Sequence, residues 1–198
     1  MIKRLFRKKS SEKEFWMWFE KHSEEYFQLD ERKYELLFNN LELQLSKINH
    51  DLTFEFSADI NKGKREFIIS ANGIVSAFPD VINLVKSAPK LDKFEIIAFR
   101  QRQSGEHEIR YNETVLKTEN VFFTYIRDKK ENYLDIILYI KDYTDENEDL
   151  VGAAFIMLDS LIGEFDVGTK LGEIDFRPYQ GERNVRPIME LPNIVDSL

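Results

Sequence analysis

Leu45-Ser46-Lys47-Ile48-Asn49-His50-Asp51-Leu52-Thr53-Phe54-Glu55-Phe56 is where the chain changes its period. Up to Ile48 the apolar residues recur at three and four. Tyr34, Leu37, Phe38, Leu41, Leu45 and Ile48 form one stripe of a helix over 30–48. From Leu52 they recur at two, with Thr53, Glu55 and Ser57 between them, the pattern of a half-buried strand. A helix handing over to a strand in a dozen residues predicts the α+β class.

Upstream, Ser11-Glu-Lys-Glu14 has the spacing of a capping box and opens a helix to about residue 27. Phe15, Trp18, Phe19, His22 and Tyr26 lie on one face of it. The short link to the next helix predicts an antiparallel N-terminal helical pair. Downstream, 59–64 is a polar connection and 65–71 the returning strand. Asn72-Gly73 then marks a turn that needs positive φ. A short helix follows with Pro79 in its first turn, and Ala88-Pro89 stops it. The strand at 94–100 comes after that helix, so a mostly antiparallel sheet has room for one parallel neighbour.

Short strands are predicted at 108–111 and 115–117, and a hairpin from 121–127 and 133–141. The helix over 148–162 is apolar nearly all round and ends at Gly163, so it should be buried against the sheet. Residues 177–198 hold Pro178, Pro187 and Pro192 and read as an extended tail packed on the domain, with one short final helix. The predicted organisation is a flexible basic arm at 1–10, one α+β domain over 11–176, and that tail.

The 198 residues include no cysteine, which excludes disulfides, thiol catalysis and thiolate metal sites. There is no apolar run of about 18 residues and no secretory signal pattern, so a soluble, cytoplasmic protein is expected. The net charge of −8 is unevenly spread. Residues 1–10 carry Lys3, Arg4, Arg7, Lys8 and Lys9 and no acid, so the remaining 23 cations face 36 acids, a balance of −13. Such a body is a poor nucleic-acid binder and suits a basic protein partner. The arm, with Ile2, Leu5 and Phe6 among its cations, is a candidate for contact with an anionic membrane surface or another anion. Ile2 stands where myristoylation needs glycine.

Metal and phosphate chemistry find little support. His22, His50 and His107 share no helix face at zinc-site spacing, and only His107, between Glu106 and Glu108, is placed for chemistry. No metal or cofactor is expected. Gly163-Glu-Phe-Asp-Val-Gly168-Thr-Lys170 resembles a phosphate loop but has Thr-Lys reversed, two acids inside, and a helix before it. Asn61-Lys-Gly-Lys-Arg65 is a basic turn with the charge to bind an anion, but it reads better as a solvated hairpin tip. No Gly-x-Ser-x-Gly elbow occurs. Carboxylate chemistry stays open. Glu55 and Glu95 sit between apolar neighbours on the opposite strand face. If that face is covered, both need partners, for which Arg100 and Arg102 are candidates; the alternative is an exposed face.

The segments Leu52-Thr-Phe-Glu-Phe56, Phe67-Ile-Ile-Ser-Ala-Asn-Gly73, Phe94-Glu-Ile-Ile-Ala-Phe-Arg100 and Leu158-Asp-Ser-Leu-Ile-Gly-Glu164 together resemble a widespread group of uncharacterised bacterial proteins of about this length. The resemblance spans most of 12–176. It implies a bacterial source and a compact α+β fold, and brings no catalytic residues with it. Glu164 stands out because an acid just past a helix C-terminus is electrostatically disfavoured.

The leading expectation is a non-enzymatic protein-binding protein of inhibitor or immunity type. The alternatives are a hydrolase-type enzyme with a carboxylate and arginine pocket, and a peripheral membrane protein held by its arm. The candidate ligand-binding residues are Glu55, Arg100, Arg102 and Glu164.

Overall fold

The computed structural model describes residues 10–198 apart from 129, 131 and 145. It has the α+β class read from the sequence, with helices and three mostly antiparallel sheets. The chain divides into two compact units, Met1–Phe99 and Arg100–Leu198. Each has its own apolar cluster. No Gly-, Pro- or Ser-rich linker marks the division, which falls directly after a strand.

The first unit begins with α1 (Ser11–Gln28), a 3-10 turn, and α2 (Tyr34–Ser46). The cap of α1 is Ser10 rather than Ser11. Its side chain makes no capping bond, and the Ser11 hydroxyl turns instead to the Glu12 carboxylate. The buried face of α1 is Phe15, Trp16, Phe19 and Tyr26, whereas Trp18 and His22 sit half-buried at its edge. Trp16 belongs inside because its indole N–H donates to the Leu84 carbonyl at 2.9 Å, satisfying a buried donor.

A three-stranded sheet follows in the order β1-β2-β3, from β1 (Thr53–Phe56), β2 (Arg65–Ser70) and β3 (Phe94–Ala98). The β1–β2 pair is antiparallel and β2–β3 parallel, with α3 (Phe78–Lys86) between them in sequence. Phe56 and Phe67 stack at 4.7 Å and Phe19 and Phe67 at 4.8 Å, so α1 and the sheet share one aromatic core. β3 is shorter than predicted because Phe99 takes φ +65°, a conformation uncommon for a bulky side chain. Its ring is buried against Phe78 at 4.6 Å, and its N–H donates to the Ile69 carbonyl at 2.8 Å.

The second unit opens with the hairpin of β4 (Glu108–Tyr111) and β5 (Thr114–Lys117). Its main sheet has the order β8-β7-β6-β9, built from β6 (Val121–Asp128), β7 (Tyr133–Ile140), β8 (Leu171–Pro178) and the short β9 (Arg186–Pro187). Leu134, Ile136, Leu138 and Ile140 form the buried face of β7 and share a cluster with α4 (Glu148–Ile162), the predicted buried helix. Gly152 lets the Tyr111 ring lie against α4, since a Cβ there would meet that ring at 2.7 Å.

Beyond Gly163 (φ +84°) the chain forms α5 (Glu164–Lys170) and then β8, parallel to β7. The sequence reading had neither. The tail is less extended than expected. After β9 it turns into α6 (Leu191–Val195), and Ile188, Leu191 and Val195 are fully buried in the core of this unit.

Candidate functional site

Three of the four predicted ligand-binding residues meet in the second unit, at the junction of α4 and α5. Glu164 opens α5, so its position past the end of α4 is also the first turn of a new helix, where an acid is favourable. Its side chain is fully buried and accepts the Arg100 backbone N–H at 3.1 Å. In return its own N–H donates to the Arg100 carbonyl at 3.0 Å. The Arg100 guanidinium pairs with Asp159 at 3.3 Å.

Arg102 donates from Nε to the Ile162 carbonyl at 2.7 Å, from Nη1 to Asp196 at 2.6 Å and from Nη2 to Asp166 at 2.6 Å. Burial disfavours its charge, but the hydrogen bonds to Asp196 and Asp166 outweigh this and hold its pKa above the ordinary arginine value. The group is a clasp joining 100–102 to α4, α5 and the end of α6. Its charges answer one another.

Glu55 lies in the first unit, exposed on β1, and Glu95 is exposed on β3. The Arg100 and Arg102 guanidinium groups are engaged by Asp159, Asp166 and Asp196.

Glu55 instead lines a groove of about 670 Å³ beside β1, within the usual size range for ligand sites. Gln28 and Leu29, at and just beyond the end of α1, Tyr34, Phe38 and Glu42 from α2, and the run from Thr53 to Ala58 form its walls. β1 is an edge strand with β2 on one side only. The Ser57 N–H donates to the Glu66 carbonyl at 3.1 Å, which puts Ser57, Glu55 and Thr53 in the phase bonded to β2. Phe54 and Phe56 fall in the other phase, so their N–H and C=O groups point to the open edge.

Arg65 closes one end of this groove. The turn before it is the tight hairpin expected, with Lys62 and Gly63 both at positive φ and an Asn61–Lys64 bridge. Arg65 itself leaves the solvated tip and is only 6% exposed. Its Nε donates to the Phe27 carbonyl at 3.0 Å, and its Nη1 to the Ser57 carbonyl and to the Ala58 carbonyl at 3.1 Å. No carboxylate pairs with it among the described residues, and Nη2 has no acceptor there. The sequence reading has Arg65 within the solvated tip, not buried.

A smaller hollow of about 350 Å³ lies on the outer face of the β6–β8 sheet, with Ile126, Ile137 and Arg177 in its lining. Arg177 is held by Asp175 on its own strand at 2.9 Å, and that hydrogen bond raises its pKa.

The histidines are dispersed. His22 packs on the Trp18 ring at 5.2 Å, and exposed His50 lies 3.2 Å from Asp51. The buried Nε2 of His107 has no partner among the described residues. No group of His, Asp and Glu among the described residues is arranged to hold a metal ion. The segment resembling a phosphate loop is the end of α4 followed by α5. Lys3, Arg4, Arg7, Lys8 and Lys9 lie outside the described residues. Among those described, no helix is long and apolar enough to cross a membrane. No known protein family matches the chain, and no curated protein or solved structure matches it either.

Proposed function

We propose that this chain acts by binding a protein partner rather than by catalysis, and that the groove along β1 is the binding site. The observation that carries this reading is the open edge of β1, whose unpaired backbone groups face a groove with an aromatic wall from Tyr34 and Phe38. An exposed edge strand is a ready template for a further strand. Arg100, Arg102 and Glu164, three of the four residues that suggested a hydrolase, are engaged in the α4–α5 clasp. The acidic balance of −13 outside the arm favours a basic partner, in keeping with an inhibitor or immunity role. The absence of cysteine and the resemblance to bacterial proteins fit a bacterial, cytoplasmic setting.

The test compares the full chain with its Glu42→Lys/Glu55→Lys variant as baits in an extract of its source cells. Both positions are exposed. The expected result is a defined partner held by the parent chain and lost by the variant, with identical circular dichroism spectra. A partner retained equally by both overturns the assignment to the groove.

A further inference from the structure

Resting on that binding reading, we infer that the groove takes the C-terminal segment of a basic protein, added to β1 as a parallel strand with its terminal carboxylate on Arg65. Two features of the groove point to this occupant, one in its charge and one in its backbone.

The charge comes first. A buried guanidinium is costly to desolvate and is ordinarily met by an anion. Arg65 has only backbone carbonyls as acceptors, with the Phe27 ring 6.0 Å from its guanidinium carbon, and keeps Nη2 as an unused donor. A carboxylate is the small planar anion whose geometry matches a guanidinium. Glu31, Glu42 and Glu55 line the same groove. They repel a multiply charged ligand such as a phosphate ester or polyanion. They favour a ligand whose single negative group sits at one end and whose remaining charge is positive.

The backbone fixes the direction. The groove follows β1 from Thr53 to Ala58, roughly 20 Å for six extended residues. Phe54 and Phe56 offer N–H and C=O groups along that edge. Arg65 lies at the Ser57–Ala58 end, where β1 finishes. A strand running parallel to β1 delivers its C-terminus there, whereas an antiparallel strand delivers its N-terminal amine, which Arg65 repels. Alternate side chains of the added strand then face Tyr34 and Phe38, and the others lie beside Glu55.

The probe is a library of random nonapeptides, anchored by their N-termini and ending in free carboxylates, selected on the full-length chain. Selected sequences are expected to be rich in Lys and Arg. Measured by fluorescence anisotropy, each should bind about tenfold or more weakly as the C-terminal amide, the usual scale for a hydrogen bond to a charged group. N-methylation of alternate residues in one phase should abolish binding, and in the other phase spare it. These changes are all on the peptide, so the fold of the chain is untouched. Equal binding of acid and amide overturns the carboxylate assignment while leaving the groove as a binding site. Failure to select any peptide that the Glu42→Lys/Glu55→Lys variant binds less well overturns both.

Discussion

Arg65 in the first unit and Arg102 in the second are solved in opposite ways. About a third of the Arg102 side chain is exposed, and two of its three donor nitrogens meet carboxylates. Arg65 is buried, and its acceptors are all uncharged carbonyls. Desolvation alone would have the more buried cation better neutralised. The inversion separates two jobs. Arg102 is satisfied within its own unit and holds 100–102 to α4, α5 and α6. Arg65 also ties elements together, from the end of α1 to the β1–β2 turn, yet keeps a donor in reserve at the groove.

The largest effect should come from breaking the saturated site. Glu164→Ala removes a fully buried acceptor and strands the Arg100 N–H, and should cost about 3 kcal/mol. Urea unfolding followed by far-ultraviolet circular dichroism measures it. Glu164→Gln keeps an oxygen for that N–H and should recover part of the loss. An Ala variant as stable as the parent would show that the clasp is ornamental.

Arg65→Met is the matching change in the first unit. It keeps the apolar stem, removes the charge, and leaves the Phe27, Ser57 and Ala58 carbonyls without this donor. The groove is open to solvent, so water can replace part of what is lost, and a cost of about 1–2 kcal/mol is expected. Both tryptophans, Trp16 and Trp18, lie in this unit, so their fluorescence reports it directly. A cost above that of Glu164→Ala would make Arg65 chiefly a structural strut and weaken its role at the groove.

The same contrast explains what could be read from the sequence. The N-terminal helices, the Asn72-Gly73 turn, the parallel neighbour and the buried helix ending at Gly163 were legible because period, turn chemistry and helix stops are local signals. α5 was not, since seven residues give too little period and Gly163 reads as an end. β8 had a usable signal in the alternation of Ile174 and Phe176 with Glu173, Asp175 and Arg177. The junction of Arg100, Arg102 and Glu164 was partly legible through the misplaced charge of Glu164. The acids that complete it, Asp159, Asp166 and Asp196, come from three separate places in the chain. Arg65 was read into the solvated tip because the turn chemistry of its neighbours drew it to the surface. Its phase says otherwise: Arg65, Phe67 and Ile69 alternate on one strand face, and all three are buried.

Tyr26 sharpens the comparison with the smallest change, a neutral donor on a carbonyl in the same unit as Arg65. Its hydroxyl donates to the Leu37 carbonyl at 2.9 Å in a fully packed setting, joining α1 to α2. Burial, helped by the Glu25 charge, pushes its pKa well above the ordinary value of 10.0. The folded state therefore holds this proton more tightly than the unfolded chain. Stability from that difference is complete below about pH 10 and is lost as pH rises from there towards the folded value. Tyr26→Phe should cost about 1 kcal/mol at neutral pH, the scale of one neutral hydrogen bond. Above pH 10 the gap should narrow, because the parent chain loses stability through this group and the variant does not. Urea unfolding by tryptophan fluorescence at pH 7 and at pH 10.5 measures both. A gap that stays constant would mean that the hydroxyl ionises as easily inside the fold as outside it. The Arg65 cost, set beside that of Tyr26, then isolates what a positive charge adds to a buried donor whose acceptors are carbonyls alone.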